Sequence, residues 1–174
     1  GGSVDGDIWL HPGATKKVSG GAKVTGVYKQ GPAFDPMLNQ GIIAATNASI
    51  AAASLSASAG SPVTINLKNM SMALTAAANT TYVINLLDLI LAGPKAVLTL
   101  SGTNTTNYVI NISRYMSLSS GASILLTGGL QPQNVLFNVT GTGRAITLDG
   151  GSYLSGVVLA TRRDIILKGD RKST

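Results

Sequence analysis

Short runs of alternating apolar and polar residues fill most of the chain, each broken by Gly, Asn, Ser or Pro. Period-two alternation sets one side of a strand against a core and leaves the other in solvent. Within residues 108–129, Tyr108, Ile110 and Ile112 share one face, and Ile124 with Leu126 share the equivalent face of a later strand. Gly128-Gly129 then turns the chain. One stretch departs from this pattern. Residues 35–59 are rich in Ala and Ser and predict a helix. Asp35 suits the N-cap and Pro36 the first helical position. Leu38, Ile42, Ala45, Ile50 and Ala53 fall roughly on one face, and Gly60 with Pro62 supplies the stop. Small residues flank that face, so the helix can lie close against a flat β-surface. A flexible Ala/Ser linker is the competing reading; Met37, Ile42, Ile43 and Ile50 weigh against it.

The strand-like region repeats. Residues 82–102 (YVINLLDLILAGPKAVLTLSG) align with residues 108–128 (YVINISRYMSLSSGASILLTG) at an offset of 26. A weaker third copy starts at Val135 and a shorter fourth at Val157. Repeats of this length with short strands and Gly/Asn corners mark a parallel β-solenoid, one coil per copy. Coils stack at about 4.8 Å, so inward residues form continuous apolar columns. The competing reading is an antiparallel sandwich. The solenoid requires Val83-Ile84-Asn85 and Val109-Ile110-Asn111 to be neighbouring parallel strands. Asn85 and Asn111 would then stack as an amide ladder, and Tyr82 and Tyr108 would stack in the core. The chain divides into first coils (1–34), helix (35–59), main coils (62–169) and tail (170–174), all within a single domain, 1–174.

Composition narrows the class. Charged residues are 11% of the chain, and mean hydropathy is positive at +0.28. The seven acids are all Asp, which argues against a helix-rich protein because Glu is the better helix former. The polar surface is therefore mostly Ser, Thr, Asn and Gly. Net charge is +6, but the basic residues are scattered apart from Lys16-Lys17 and the run around Arg162, Arg163, Lys168, Arg171 and Lys172. No basic-aromatic interleaving points to nucleic acid. With no Cys, disulfides and thiolate sites are excluded. No apolar run reaches the roughly 18 residues of a membrane span; the longest, Val83 to Leu91, contains Asp88. No leader is visible, and the opening Gly-Gly-Ser reads as the start of a mature product or of a fragment.

Ordered motifs add a resemblance. They are Val4-Asp5-Gly6-Asp7-Ile8 with Val18 to Gly26, the Ala-rich segment 37–59, Tyr108 to Gly129, and Asn134 to Ala160. The last contains Asn134-Val135-Leu136-Phe137-Asn138-Val139 and Gly156-Val157-Val158-Leu159-Ala160. Together they resemble the bacterial choice-of-anchor A domain, a secreted surface module, and more distantly the ice-binding-like adhesin family. The resemblance implies a triangular β-helix with one long Ala-rich α-helix packed along its side, in an extracellular or cell-surface setting. The family pattern continues with a further coil after Ile165-Ile166-Leu167, where this chain reaches Thr174.

Residues for catalysis are few. A Ser-His-Asp triad would have to use His11, which sits beside Pro12-Gly13 without a nucleophile motif. One His without Cys or Glu does not make a zinc site. Asp5 and Asp7 fall short of the six or more oxygens calcium takes, and no two Asp cluster as a glycosidase pair. The expectation is a non-enzyme without cofactor or metal. The first functional reading is a structural or adhesive surface module. The second is ice binding, on a face with Thr99, Ser101, Ser117, Ser119, Thr127 and Thr147, although Leu125 and Asp149 interrupt any ladder. The third is carbohydrate binding on Trp9, Tyr28, Tyr115 or Tyr153. Among Asn-x-Ser/Thr sequons at 47, 69, 79, 104, 111 and 138, Asn79 and Asn104 are the plausible glycosylation sites. Neither end shows an evident cap, so the expected partner is another copy or cell-surface or matrix components. End-to-end contact would join Asp164, Ile165, Leu167, Lys168, Arg171 and Lys172 to Asp5 and Asp7.

Overall fold

A computed structural model describes residues 3–4, 8–10, 23–24, 26–30 and 35–168. The elements run β1 (Ser3–Val4), β2 (Ile8–Leu10), β3 (Lys23–Val24), β4 (Tyr28–Gln30), α1 (Asp35–Ala53), β5 (Thr64–Lys68), β6 (Ser71–Thr75), β7 (Thr81–Ala92) and β8 (Val97–Ser101). Then follow β9 (Asn107–Ser119), β10 (Ser123–Thr127), β11 (Val135–Val139), β12 (Ile146–Leu148), β13 (Tyr153–Leu154), β14 (Val157–Leu159) and β15 (Ile165–Leu167). All the pairings are parallel. β1 pairs with β3 and β2 with β4. The remaining strands wind as a parallel β-solenoid, as the repeats require.

From β5 onward the chain visits three sides in strict rotation. The first side stacks the leading half of β7, the leading half of β9, then β11 and β14. The second stacks β5, the trailing halves of β7 and β9, then β12 and β15. The third stacks β6, β8, β10 and β13. β7 and β9 each bend across the corner between the first two sides, where the register slips between Leu86 and Asp88. Val83-Ile84-Asn85 pairs in register with Val109-Ile110-Asn111.

Inward positions form apolar columns. Ile84, Ile110 and Phe137 are one; Leu89 and Met116 another; Leu98 and Ile124 a third, all buried. Tyr108 is buried, its ring 5.7 Å from that of the half-buried Tyr82 in an edge-on arrangement, as equivalent repeat positions predict. Its hydroxyl lies 2.8 Å from the Ser101 carbonyl, and burial pushes its pKa up to about 12. Corners are tight enough that backbones of successive coils touch. Gly128 has φ +73, and a Cβ there would meet the Gly102 carbonyl oxygen at 2.6 Å, so no other residue fits without displacement.

The helix lies on the first side and is fastened by amides. Asn85, Asn111 and Asn138 occupy one register row on its outward surface. Asn138 Nδ2 donates to Asn111 Oδ1 at 2.8 Å, and Asn111 Nδ2 donates to Asn85 Oδ1 at 2.9 Å. Two amides also reach the helix and the third the segment just after it: Asn138 donates to the Ser49 carbonyl, Asn111 to Ala52 and Asn85 to Leu55. Ser49 Oγ returns a bond to Asn138 Oδ1 at 2.6 Å. The ladder expected from two Asn thus extends to a third.

Two details differ from the sequence reading. The helix ends at Ala53, short of residue 59, because the chain then turns to pair with β7. Ser58 N donates to the Val83 carbonyl and Ser58 Oγ accepts from Val83 N. This segment, with Val63 accepting from Leu87 N, covers the β7 edge on the first side, where the sequence shows no evident cap. Also, the buried face of the helix is Ser49 and Ala52 with half-buried Leu38 and Ala45, whereas Ile42, Ile50 and Ala53 are exposed. Small residues win the buried face because the ladder pulls the helix backbone close to the sheet.

A test follows from the unequal burial of the three amides. Asn138→Ala leaves a buried serine hydroxyl and two carbonyl oxygens without their donor or acceptor, and is expected to cost about 2–3 kcal/mol. Asn85→Ala, at the exposed end, should cost about 1 kcal/mol or less. Urea denaturation of both variants checks the gradient; equal losses would contradict it.

Candidate functional site

Two open surfaces are candidates, because the helix occupies the first side. On the third side the inward residues are Met72, Leu98, Ile124 and Leu154 in one column and Leu74, Leu100 and Leu126 in the next. The outward rows are therefore Ser71–Val97–Ser123–Tyr153, Ala73–Thr99–Leu125 and Thr75–Ser101–Thr127. None of these residues is charged. From β6 to β8 and from β8 to β10 every pair is offset by the same 26 residues, without a bulge. Hydroxyls and methyls consequently stand in rows about 4.8 Å apart across coils, and about 6.7 Å apart along each strand.

The second side is less uniform. Its outward rows are Asn66–Ile90–Ser117–Thr147–Ile166 and Lys68–Ala92–Ser119, the latter continued at Asp149 and Lys168 by backbone bonds to Leu118 and Leu148. Charge of both signs thus interrupts it.

The hydroxyls singled out from sequence divide between these surfaces. Thr99, Ser101 and Thr127 lie on the third side; Ser117, Ser119 and Thr147 lie on the second. A corner at residues 120–122 separates them, and linear spacing does not show corners. Sequence reasoning missed Ser71, Thr75 and Ser123, which complete the third-side rows. For Ser71 and Thr75 the signal was the same offset of 26 carried one coil further back than the visible similarity; Ser123 lies within the visible second copy. Leu125 interrupts the middle row, as expected.

Other expected positions fall as follows. Asn79 and Asn104 are exposed at the corner between the third and first sides, Asn79 with φ +57. Asn111 and Asn138 are buried in the amide ladder. Asp164 lies beside β15, which among the described residues pairs only with β12, and Ile165 and Leu167 are exposed with Lys168 following. Asp5, Asp7, His11, Arg171 and Lys172 lie outside the described residues, as do the side chains of Trp9 and Tyr28. Tyr115 is half-buried beneath Arg144, and Tyr153 is exposed at the end of the third side. Among the described residues no group of three His, Cys, Asp or Glu could hold a metal ion, and no helix is long and apolar enough to cross a membrane.

One ion pair marks the corner between the first and second sides. Asp88, buried at the bulge, accepts bonds from Arg114 Nε at 2.9 Å and from Arg114 Nη2. The hydrogen-bonded Arg114 guanidinium holds the Asp88 carboxyl below its ordinary 3.8, against the opposing effect of desolvation.

Comparison with known proteins follows the fold. The family model described as Ice-binding-like matches residues 2–170. Two ice-binding proteins of Typhula ishikariensis are similar over 68 residues: K1-A at 34% identity and K3-B1 at 32%. Each alignment covers 39% of this chain and 27% of the relative, so the chain matches about a quarter of the length of these curated relatives. The match falls on the more distant of the two families that the motifs resemble. The choice-of-anchor A assignment has no support from these comparisons.

The corner pair predicts a pH signature. The folded pKa of Asp88 is depressed, so its contribution is complete above the unfolded value near 3.8 and is lost as pH falls through the folded value. Asp88→Asn should therefore destabilise the protein at pH 5–7. The gap to the native chain should narrow progressively below about pH 4. Thermal melting across that range checks it, and a gap constant with pH would contradict it.

Proposed function

Because the chain belongs to the Ice-binding-like family, we propose that it binds the surface of ice crystals, and that the third side is the contact surface. The observation that carries the choice of surface is the uncharged, bulge-free array of Ser71, Thr75, Thr99, Ser101, Ser123 and Thr127 at constant 26-residue register. An ice contact is a water-mediated contact over a large area. Hydroxyls anchor individual waters, while neighbouring methyls leave the intervening waters free to bond one another. A charge instead orients its hydration shell radially and competes with the lattice. The second side places Lys68, Asp149 and Lys168 among its hydroxyls and fits this role less well. The parallel coils and the amide-fastened helix hold the array rigid, which removes an entropy cost of contact.

The same reading makes the protein a non-enzymatic, extracellular module, where ice is met. Its relatives' names supply the ligand for those proteins; this chain's low charge and its uncharged surface are what support carrying it over. An adhesive or structural role rests on the fold alone and has no dedicated surface in its support.

Thermal hysteresis and ice-recrystallisation assays test the reading. Thr99→Tyr, in the centre of the third side, should abolish activity with little change in melting temperature. Ser117→Tyr, on the second side, should leave activity within about twofold. The reverse outcome moves the contact to the second side, and inactivity of the native chain at high concentration ends the proposal.

A further inference from the structure

The corner between the first and second sides carries an arginine in each of three successive coils. Arg114 leaves the third coil there, Arg144 precedes β12 in the next, and Arg163 precedes β15 in the one after. Successive coils lie about 4.8 Å apart, so the guanidinium groups are brought together by stacking alone. With Asp88, Tyr115 and Thr142 they line an open cleft of about 460 Å³.

The charge there is unbalanced. Three guanidinium groups face one carboxylate, leaving two positive charges in the lining. The arginines also do different work. Arg114 is held by Asp88. Arg163 donates to the carbonyls of Ser113, Arg114, Thr140 and Gly141, so its donors tie two coils together and fix it in place. Gly143 leaves room for this arm, since a Cβ there would stand 3.3 Å from Arg163 Nη1. Arg144 lies over the Tyr115 ring, 5.8 Å from its centre, and makes no hydrogen bond or ion pair among the described residues. A stacked guanidinium keeps its edge donors available, and that edge matches a carboxylate or sulfate group in a two-bond fork.

We infer that this cleft is a second binding site, for a carboxylate- or sulfate-bearing sugar of an anionic polysaccharide, with Arg144 as the primary contact. The residual charge selects an anion. Tyr115 backs the Arg144 guanidinium, Thr142 adds a hydroxyl within the same lining that can meet a sugar hydroxyl, and the volume lies in the range of small-ligand sites. Arg163 and Arg114 act as positioning residues that supply field and shape. The site is on a different corner from the proposed ice surface and does not depend on that reading.

The experiment is titration of the whole chain with a short oligouronate at constant ionic strength, followed by calorimetry and by amide chemical shifts, with sodium sulfate as a parallel arm. Saturable oligouronate binding with shifts at Tyr115, Thr142 and Arg144 is expected. Arg144→Gln should weaken it at least tenfold at an unchanged melting temperature, and Arg144→Lys should weaken it less. Lys68→Gln, which removes the same charge from the second side, should leave it within twofold. Competition by sulfate identifies the oxyanion as the recognised group. Absence of saturable binding, equal losses in Arg144→Gln and Lys68→Gln, or binding of sulfate without the oligouronate would each overturn the proposal.

Discussion

A single geometric coincidence fastens the molecule. Three residues of α-helix rise about 4.5 Å, and stacked parallel strands lie about 4.8 Å apart. Carbonyls three residues apart in α1, at Ser49 and Ala52, therefore face two successive coils, and that of Leu55, just past the helix end, reaches the third. Asparagine serves both repeats at once, because its amide has two donor hydrogens. In Asn111 and Asn138 one hydrogen goes to the neighbouring coil and the other to the helix. The Ala52 carbonyl, in the last turn of α1, accepts from Leu55 N at 3.3 Å and more closely from Asn111 Nδ2 at 2.8 Å, so the ladder also reinforces the helix end. Both demands, closing buried amides and closing a helix end, are met by the same row.

That fastening decides which surface is free. A backbone-to-amide distance near 2.8 Å leaves no room for large side chains between helix and sheet, so Ser49 and Ala52 lie inside. Met37, Ile42, Ile43 and Ile50 are left on the outside. The first side is thus consumed by the helix, and the second is crossed by the bulge and by ionic groups. Among the described residues only the third side, from β6 to β10, combines constant register with neutral residues, which is why a function needing a regular surface is placed there.

Legibility from sequence followed repetition. Asn85 and Asn111 were readable as a ladder because their copies align residue for residue, whereas Asn138, in the weaker third copy, joins the row only through the strand pairing. The direction of pairing followed from the same offset. The helix was visible through Asp35-Pro36, yet its buried face was not, since the ordinary expectation that large apolar residues face inward fails when a polar row sets the distance. The hydroxyl array was half legible. Spacing along a chain reveals alternation but not where three sides meet, so positions 117 and 127 looked equivalent although a corner separates them. Strand β6 kept the offset of 26 to β8 without keeping the residues, and similarity alone passed over it.

The arginine corner was illegible for a related reason. Arg114, Arg144 and Arg163 are 30 and 19 positions apart, in copies whose loops differ in length, so no sequence period joins them. Stacking joins them regardless, because every loop at a given corner must emerge beside the loops of adjacent coils. A solenoid thus sorts its charges by corner and by side rather than by sequence distance. In a chain with net charge +6, this sorting leaves the described rows of one side without an ionic group while another edge concentrates three cations. The two surfaces ask opposite things of water: the neutral side lets it form a continuous network, and the cationic cleft rewards its displacement by an anion. Their separation to different edges of the triangle lets both exist on one small rigid body without either weakening the other.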